Sequence, residues 1–210
     1  MNQITHWLDS SNVYGSGDSD ARRLRTFQGG RLRSDRGLNG AEMLPDNGEN
    51  DCKGNSRRCF LAGNWKGNWL SDLLPIIFTL ISCSFILLYN HLLSGDLRVN
   101  EQPTLAVMHT IFLREHNRIA NQLQRINPRW SDERLYQESK RILNAEWQHI
   151  IYNEWLPIIL GDRFMSRYGL YPIDQGYSRQ YRTDFDPRIT NAFATAAFRF
   201  GHSLIPGDIK

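Results

Sequence analysis

A mainly α fold is predicted by three features of this sequence: two stretches after Pro103 repeat their apolar residues at helical spacing, both are bounded by helix start or stop residues, and no segment alternates as a strand. In chain order, Met1 to about Gly63 is rich in Gly, Ser, Asn, Asp and Arg, with turn signals such as Asp46-Asn47-Gly48, and reads as loop. Leu73 to Leu93 contains no Asp, Glu, Lys or Arg, so by length and hydropathy alone it is a transmembrane candidate. After Pro103, Leu105, Met108, Ile111, Phe112, Ile119, Leu123 and Ile126 mark a first helix that Asn127-Pro128 ends. Ser131 is the predicted N-cap of a second helix, with Asp132 and Glu133 in its first turn and Leu135, Ile142, Leu143, Trp147, Ile150 and Ile151 on the buried side. That helix is expected to stop near Pro157. Gly161 to Phe185 has no clean period and reads as a long connection. Asp186-Pro187 then pairs an N-cap with proline at the first helical position, predicting a third helix through Ile189, Phe193, Ala197 and Phe200.

Composition narrows the function classes. Apolar residues make up 40% and charged residues 22%, which suits a globular chain long enough for one real core. The net charge of +3 comes from 25 basic and 22 acidic side chains scattered without a basic block, so a nucleic-acid partner is not favoured. Three cysteines are too few for a disulfide-dense scaffold. Cys52 and Cys59 lie in a polar stretch where they can close a small loop, whereas Cys83 sits in the apolar run. The N-terminal residues do not form a basic segment followed by an apolar one, so no signal peptide is read there; the chain is either intracellular or preceded by more sequence.

Taken alone, His202 is a histidine near the end of an amphipathic helix whose apolar face includes Phe193, Ala197 and Phe200, a setting in which imidazole can meet a buried iron. The flanking residues say more. Leu105-Ala-Val-Met-His-Thr-Ile-Phe-Leu-Arg-Glu-His-Asn-Arg118 resembles the signature helix of animal haem peroxidases, the myeloperoxidase and peroxidasin group, and Asn127-Pro-Arg-Trp130 follows it as in that family. Asp186-Pro-Arg-Ile-Thr-Asn-Ala-Phe193 and Phe198-Arg-Phe-Gly-His-Ser-Leu204 resemble the helix that bears the family's proximal ligand. Asp96-Leu-Arg-Val-Asn-Glu-Gln-Pro103 resembles its distal strip, and Asp9-Ser-Ser-Asn-Val-Tyr-Gly-Ser16 its calcium loop.

The resemblance implies haem b and calcium as cofactors, with hydrogen peroxide and a small electron donor such as a halide, a phenol or tyrosyl groups as substrates. It makes His202 the axial ligand of the haem iron and Arg98 the distal arginine, whose fixed charge stabilises negative charge as the peroxide O–O bond breaks. Glu101 becomes the residue that forms an ester with a haem methyl. Gln102 stands where myeloperoxidase has a methionine bound to the haem, so that second link is not expected. Thr5, Asp9 and Ser11 become calcium ligands, joined by backbone oxygens such as that of Trp7. Cys52 and Cys59 become the disulfide before the distal strip. His109, Arg114 and His116, inside the signature helix, are given structural roles. An extracellular location follows from the same resemblance, as do oxidative-stress response or matrix and eggshell crosslinking as processes.

Three departures accompany the likeness. The family's distal histidine and its neighbouring aspartate precede the calcium loop, and the helices that complete the haem pocket follow the proximal histidine; neither group falls within residues 1–210. The family also runs Cys-Phe-Leu-Ala-Gly directly into Asp-Leu-Arg, whereas here residues 64–95 separate Gly63 from Asp96. Residues 1–210 are therefore expected to be a partial haem peroxidase helical domain with a loop-rich N-terminal part, interrupted by an apolar insert at about 64–95 and inactive or impaired as it stands. A single membrane span at 73–93 would put the disulfide loop and the distal strip on opposite sides of a bilayer, so insertion is not expected, and the insert reads as translated intronic sequence or a gene-model error. The alternatives are a non-catalytic binding or adhesion module on a peroxidase scaffold, and a membrane-anchored helical protein.

Overall fold

The structure is a computed structural model that describes residues 4–37, 40–47, 92–101, 103–179 and 181–205. The expected Cys52–Cys59 disulfide, Cys83, Gln102 and the apolar run up to residue 91 lie outside the described residues. Among the described residues no helix is long and apolar enough to cross a membrane.

The mainly α class is what the structure shows. The region expected to be loop carries two short helices, α1 (Ser11–Tyr14) and α2 (Asp18–Leu24). Neither is long enough to show an apolar period. α2 is favoured instead by charge, with Asp18 and Asp20 in its first turn and Arg22 and Arg23 in its last, each sign matched to the helix dipole. A two-residue ladder follows, β1 (Asp35–Arg36) against β2 (Glu42–Met43), antiparallel, with Asp35 opposite Met43.

After a 3₁₀ turn at Leu97–Asn100, the long helix α3 runs from Pro103 to Ile126, ending where Asn127-Pro128 predicts. The second helix, α4 (Asp132–His149), starts at the expected N-cap: Ser131 Oγ accepts from the Arg134 amide. Its helical path does not stop near Pro157. A π-helical segment (Ile150–Trp155) leads into α5 (Leu156–Leu160), and the widened turn accommodates the proline ring, which would collide with the carbonyl four residues back in a regular helix. The connection after Gly161 holds another helix, α6 (Asp162–Arg167).

The third expected helix is shorter and broken. Asp186 does not cap it, because its carboxylate accepts from the Arg188 amide at 3.0 Å and grips the Arg188 guanidinium. Thr190 is the cap instead, and α7 spans Asn191–Thr195 before Ala196 leaves helical geometry and a 3₁₀ helix takes Ala197–Leu204. Its expected buried stripe is open, with Ile189, Phe193 and Phe200 all more than 40% exposed.

The core gathers Val13, Tyr14, Leu24, Leu32, Leu44, Leu92, Leu93, Val99, Ala106, Leu113, Ile119, Tyr136 and Leu143 between the loop-rich segment and the α3–α4 pair. On α4, Leu135 and Leu143 are buried as expected, while Ile142, and Ile150 at the start of the π-helical segment, are exposed. On α3 the expected apolar stripe is only partly the inner face: Ile119 is buried and Phe112 and Leu123 pack on the core, but Met108 and Ile111 are about half exposed, and Ala106, His109, Thr110, Leu113, His116, Asn117 and Ala120 also point inward. The reason lies in the partner. The loop-rich segment offers main-chain groups with few helical or ladder bonds, and buried ones must be paired.

His116 and Asn117 meet that need. His116 Nε2 lies 2.8 Å from the Gly30 carbonyl and Nδ1 lies 2.7 Å from the Tyr14 hydroxyl. Asn117 accepts from the Leu32 amide at 2.8 Å and donates to the Leu32 carbonyl. The Gly30 amide donates to Asp132 at 2.6 Å, and Asp132 also pairs with the buried Arg25 at 2.8 Å. Gly30 can take this place because its φ is +69° and because a Cβ there would lie 2.5 Å from the Tyr136 amide nitrogen.

Two outcomes are expected. Gly30→Ala adds backbone strain and overpacking and should cost about 3 kcal/mol of unfolding free energy, whereas Gly40→Ala, at φ +76° with nothing within 4 Å, should cost only about 1 kcal/mol. Equal denaturation midpoints for the two variants would refute this account of Gly30. The second concerns pH. Burial holds His116 down to about 4, against an ordinary value of 6.5, so the unfolded chain takes up a proton that the folded chain refuses. His116 therefore contributes stability that is complete above pH 6.5 and lost as pH falls towards 4, at about 1 kcal/mol per pH unit. Burial lowers His109 in the same direction. Chemical denaturation between pH 6.5 and 5 should show this slope in the wild type and a smaller one in His116→Gln; an unchanged slope would remove His116 from the explanation.

Candidate haem and cation site

Three groups of side chains were expected to carry chemistry, and each sits on a different part of the frame. The distal strip is the 3₁₀ turn at Leu97–Asn100 that leads into α3. Asp96 caps it, its carboxylate accepting from the Arg98 amide at 2.9 Å and from Arg98 Nε at 2.9 Å. Burial alone would raise the Asp96 carboxyl, but the Arg98 hydrogen bonds outweigh it and hold the group below the usual carboxylate range. Arg98 is thus present as a fixed cation with its guanidinium turned back on Asp96, half its side chain still exposed. Glu101 follows as the exposed C-terminal cap of the same turn, its amide donating to the Arg98 carbonyl at 2.9 Å.

Side chains from other elements hold the strip in place. Buried Asn100 pairs with both main-chain groups of Leu92, each at 2.9 Å. Leu93 donates to the Pro45 carbonyl, and Leu92 bridges to Asp46. Ser94 donates to the Asn12 carbonyl at 2.9 Å and, with its one proton used, accepts from His109 Nδ1 at 2.7 Å. Gly95 lies where a Cβ would meet the Gly15 amide nitrogen at 2.2 Å and the Ser11 carbonyl at 2.4 Å, so α1 and the strip touch backbone to backbone. Residues 92–95, the end of the stretch read as an insert, are therefore packed parts of the frame. Sequence reasoning did not single out Asn12, Ser94 or Asn100; small polar residues in a loop give no periodic signal.

The residues expected to form a calcium loop come together at and before the start of α1. Thr5 Oγ1 donates to Asp9 Oδ1 at 2.9 Å, and the Ser11 amide donates to the same oxygen at 3.1 Å. Trp7 lies between them, its side chain 55% exposed and its ring against His6. Ser10 is 3% exposed in a left-handed backbone conformation, φ 54°, and its hydroxyl has no hydrogen-bond partner among the described residues. One carboxylate, two hydroxyls and nearby carbonyls make an oxygen-only donor set of the kind a hard cation takes. Among the described residues no group of three or more His, Cys, Asp or Glu side chains could hold a metal ion.

His202 stands apart from both groups, exposed on the 3₁₀ helix that packs on α7. Its Nδ1 lies 2.9 Å from the Arg199 carbonyl. A carbonyl only accepts, so Nδ1 carries the proton and the lone pair is left on Nε2, the form an axial ligand needs. His116 and Arg114, by contrast, are occupied by the frame: Arg114 donates to the Glu42 carbonyl and His116 is fully buried.

Comparison with known proteins shows the family. The family model for animal haem peroxidase matches residues 1–81 and 88–210. The chorion peroxidase of Drosophila melanogaster is 40% identical over 100% of this chain, and the peroxidasin homolog of Caenorhabditis briggsae 42% over 98%. The myeloperoxidase of Mus musculus is 39% identical over 98% of the chain. The chain spans 22% of the first of these relatives, 14% of the second and 24% of the third. Among solved structures, peroxidase A from Dictyostelium discoideum superposes with a TM-score of 0.62 at 28% identity, over 93% of this chain and 31% of that one. With the helical frame, the strip and the histidine helix all inside the matched residues, the chain belongs to the animal haem peroxidase family.

Proposed function

We propose that this chain is part of a haem-dependent peroxidase that reduces hydrogen peroxide while oxidising a small electron donor, with haem b held through His202 and calcium through Thr5, Asp9, Ser11 and the Trp7 carbonyl. The observation that carries the reading is the His202 tautomer: the Arg199 carbonyl accepts a hydrogen bond from Nδ1–H, so the lone pair lies on Nε2 and is free to bind iron. The loop fits a cation because the buried Ser10 hydroxyl, without a hydrogen-bond partner among the described residues, is next in sequence to Asp9, whose carboxylate accepts from the Thr5 hydroxyl and the Ser11 amide.

Bound haem supplies the redox chemistry that cleaves the O–O bond and takes electrons back from the donor. The residues of this chain do the rest in this reading. His202 binds the iron, and its bond to Arg199 keeps the ring from turning. Arg98 brings a fixed positive charge to the oxygen that gains electrons, and Asp96 keeps that charge in place until a better acceptor competes for it. Glu101, exposed one residue past the turn, would form the ester with a haem methyl. An extracellular site of action goes with this reading, because chorion peroxidase and peroxidasin are named among the similar proteins.

Hemin titration of the purified chain tests it. A saturable Soret band of a histidine-ligated haem is expected, lost in His202→Ala and kept in His149→Ala. Identical titrations for wild type and His202→Ala would overturn the assignment, whereas normal ligation without peroxide turnover would favour a non-catalytic binding module.

A further inference from the structure

Two tyrosines are buried side by side, Tyr14 at the end of α1 and Tyr136 on α4, and their hydroxyls differ in one respect. Tyr14 and Tyr136 are 0% and 2% exposed, with ring centroids 6.0 Å apart and planes at 90°. The Tyr136 hydroxyl has no hydrogen-bond partner among the described residues. The Tyr14 hydroxyl lies 2.7 Å from His116 Nδ1. Because His116 Nε2 donates to the Gly30 carbonyl at 2.8 Å, the neutral ring presents its lone pair at Nδ1, and Tyr14 is the donor.

We propose that Tyr14 and His116 form a proton-coupled redox pair, in which the phenol yields one electron to an oxidant and its proton to His116. The Tyr14 O–H bond breaks, an N–H bond forms at Nδ1, and a neutral tyrosyl radical faces an imidazolium. The inference rests on the haem reading only for the natural oxidant, which is hydrogen peroxide acting through bound haem. One peroxide takes two electrons and two protons to give two waters, and Tyr14 supplies one electron of the two.

The geometry favours this residue for three reasons. A phenol radical cation is a far stronger acid than an imidazolium, so the base 2.7 Å away takes its proton, and the positive charge passes to a ring that has an acceptor at each nitrogen. After transfer both imidazolium N–H groups still have acceptors, the Tyr14 oxygen and the Gly30 carbonyl, so no heavy atom has to move. The surroundings then drive the proton home when the electron returns: burial, Arg25 and Lys140 all disfavour a charged His116. Lys140 sits 4.9 Å from the Tyr14 ring centroid and Arg25 3.9 Å from that of Tyr136, while Glu146 faces Tyr14 and Glu133 faces Tyr136. Tyr136 has the same burial and no base, which makes it the internal control.

Flash-generated tris(bipyridine)ruthenium(III) at pH 8 supplies an oxidant that needs no haem, and electron paramagnetic resonance of the full chain, frozen after the flash, reads the product. A tyrosyl signal is expected in wild type and in Tyr136→Phe, and its Tyr14 component should be lost in Tyr14→Phe. Exposed tyrosines such as Tyr177 contribute equally to all spectra and cancel in the difference. His116→Gln keeps a hydrogen-bond acceptor but no base, so a folded His116→Gln protein should also lose the component. Identical spectra for wild type and Tyr14→Phe, or an undiminished Tyr14 component in folded His116→Gln, would overturn the proposal. Should Tyr14→Phe fail to fold, wild type in deuterated buffer decides: the radical must lose the hyperfine splitting of one exchangeable hydrogen, and an unchanged spectrum counts against the pair. A Tyr14 radical formed by ruthenium but not by peroxide on the hemin-loaded chain would support the pair and sink only the haem reading.

Discussion

The pairing of loop main chain with buried polar side chains of α3 is what the rest of the structure depends on. The segment before residue 47 has little helix and one two-residue ladder, so its inward N–H and C=O groups are satisfied from outside. Arg114 reaches Glu42, His116 reaches Gly30, Asn117 grips both groups of Leu32, and His109 reaches α1 through Ser94. An unsatisfied buried amide or carbonyl costs about 1–3 kcal/mol, so an apolar replacement at any of these positions loses more than one bond's worth of stability. The frame is polar on the side where a helix pair usually meets its core.

That inversion sets the limits of what the sequence could reveal. The helix ends were legible, because Asn127-Pro128 and the Ser131 cap act locally and the structure keeps both. The buried face of α3 was legible only in part, at Ile119, Phe112 and Leu123. Apolar spacing selected Met108 and Ile111, which are about half exposed, over His109, His116 and Asn117, which are buried. Polar residues repeating three and four apart inside an otherwise amphipathic helix were the available signal, and hydropathy assigns them to solvent. α2 and α6 escaped because helices of six or seven residues show too few turns for a period. Asp186 was misread as a cap because nothing in the local sequence shows that Arg188 claims its carboxylate.

The residues with the best claim to chemistry were read from motif likeness, and the structure adds how each is held. Arg98 and Glu101 share one turn; Thr5, Asp9 and Ser11 share one carboxylate oxygen's neighbourhood; His202 has its tautomer set by the carbonyl three residues back. The first two groups are connected. α1 begins at Ser11, and its Ser11 and Asn12 carbonyls meet Gly95 and Ser94 directly, so a change in the Thr5–Ser11 loop reaches the arginine strip through two contacts. Ser10 stands between them in a left-handed backbone conformation, its hydroxyl without a hydrogen-bond partner among the described residues.

Asp96 is the residue on which these connections converge. Its carboxylate has two cationic neighbours in prospect, Arg98 by direct contact and His109 by proximity. Burial keeps His109 below its ordinary value, so near neutral pH it is uncharged and leaves Arg98 as the sole full charge on Asp96. A protonated His109 would compete for the same carboxylate and loosen its hold on Arg98. The Ser94 bond opposes that by keeping the imidazole ring seated in the frame, where desolvation disfavours the charge. The burial that stabilises the loop-to-helix pairing thus also preserves the arginine's partner, and the strip can be rigid and charged in the same place.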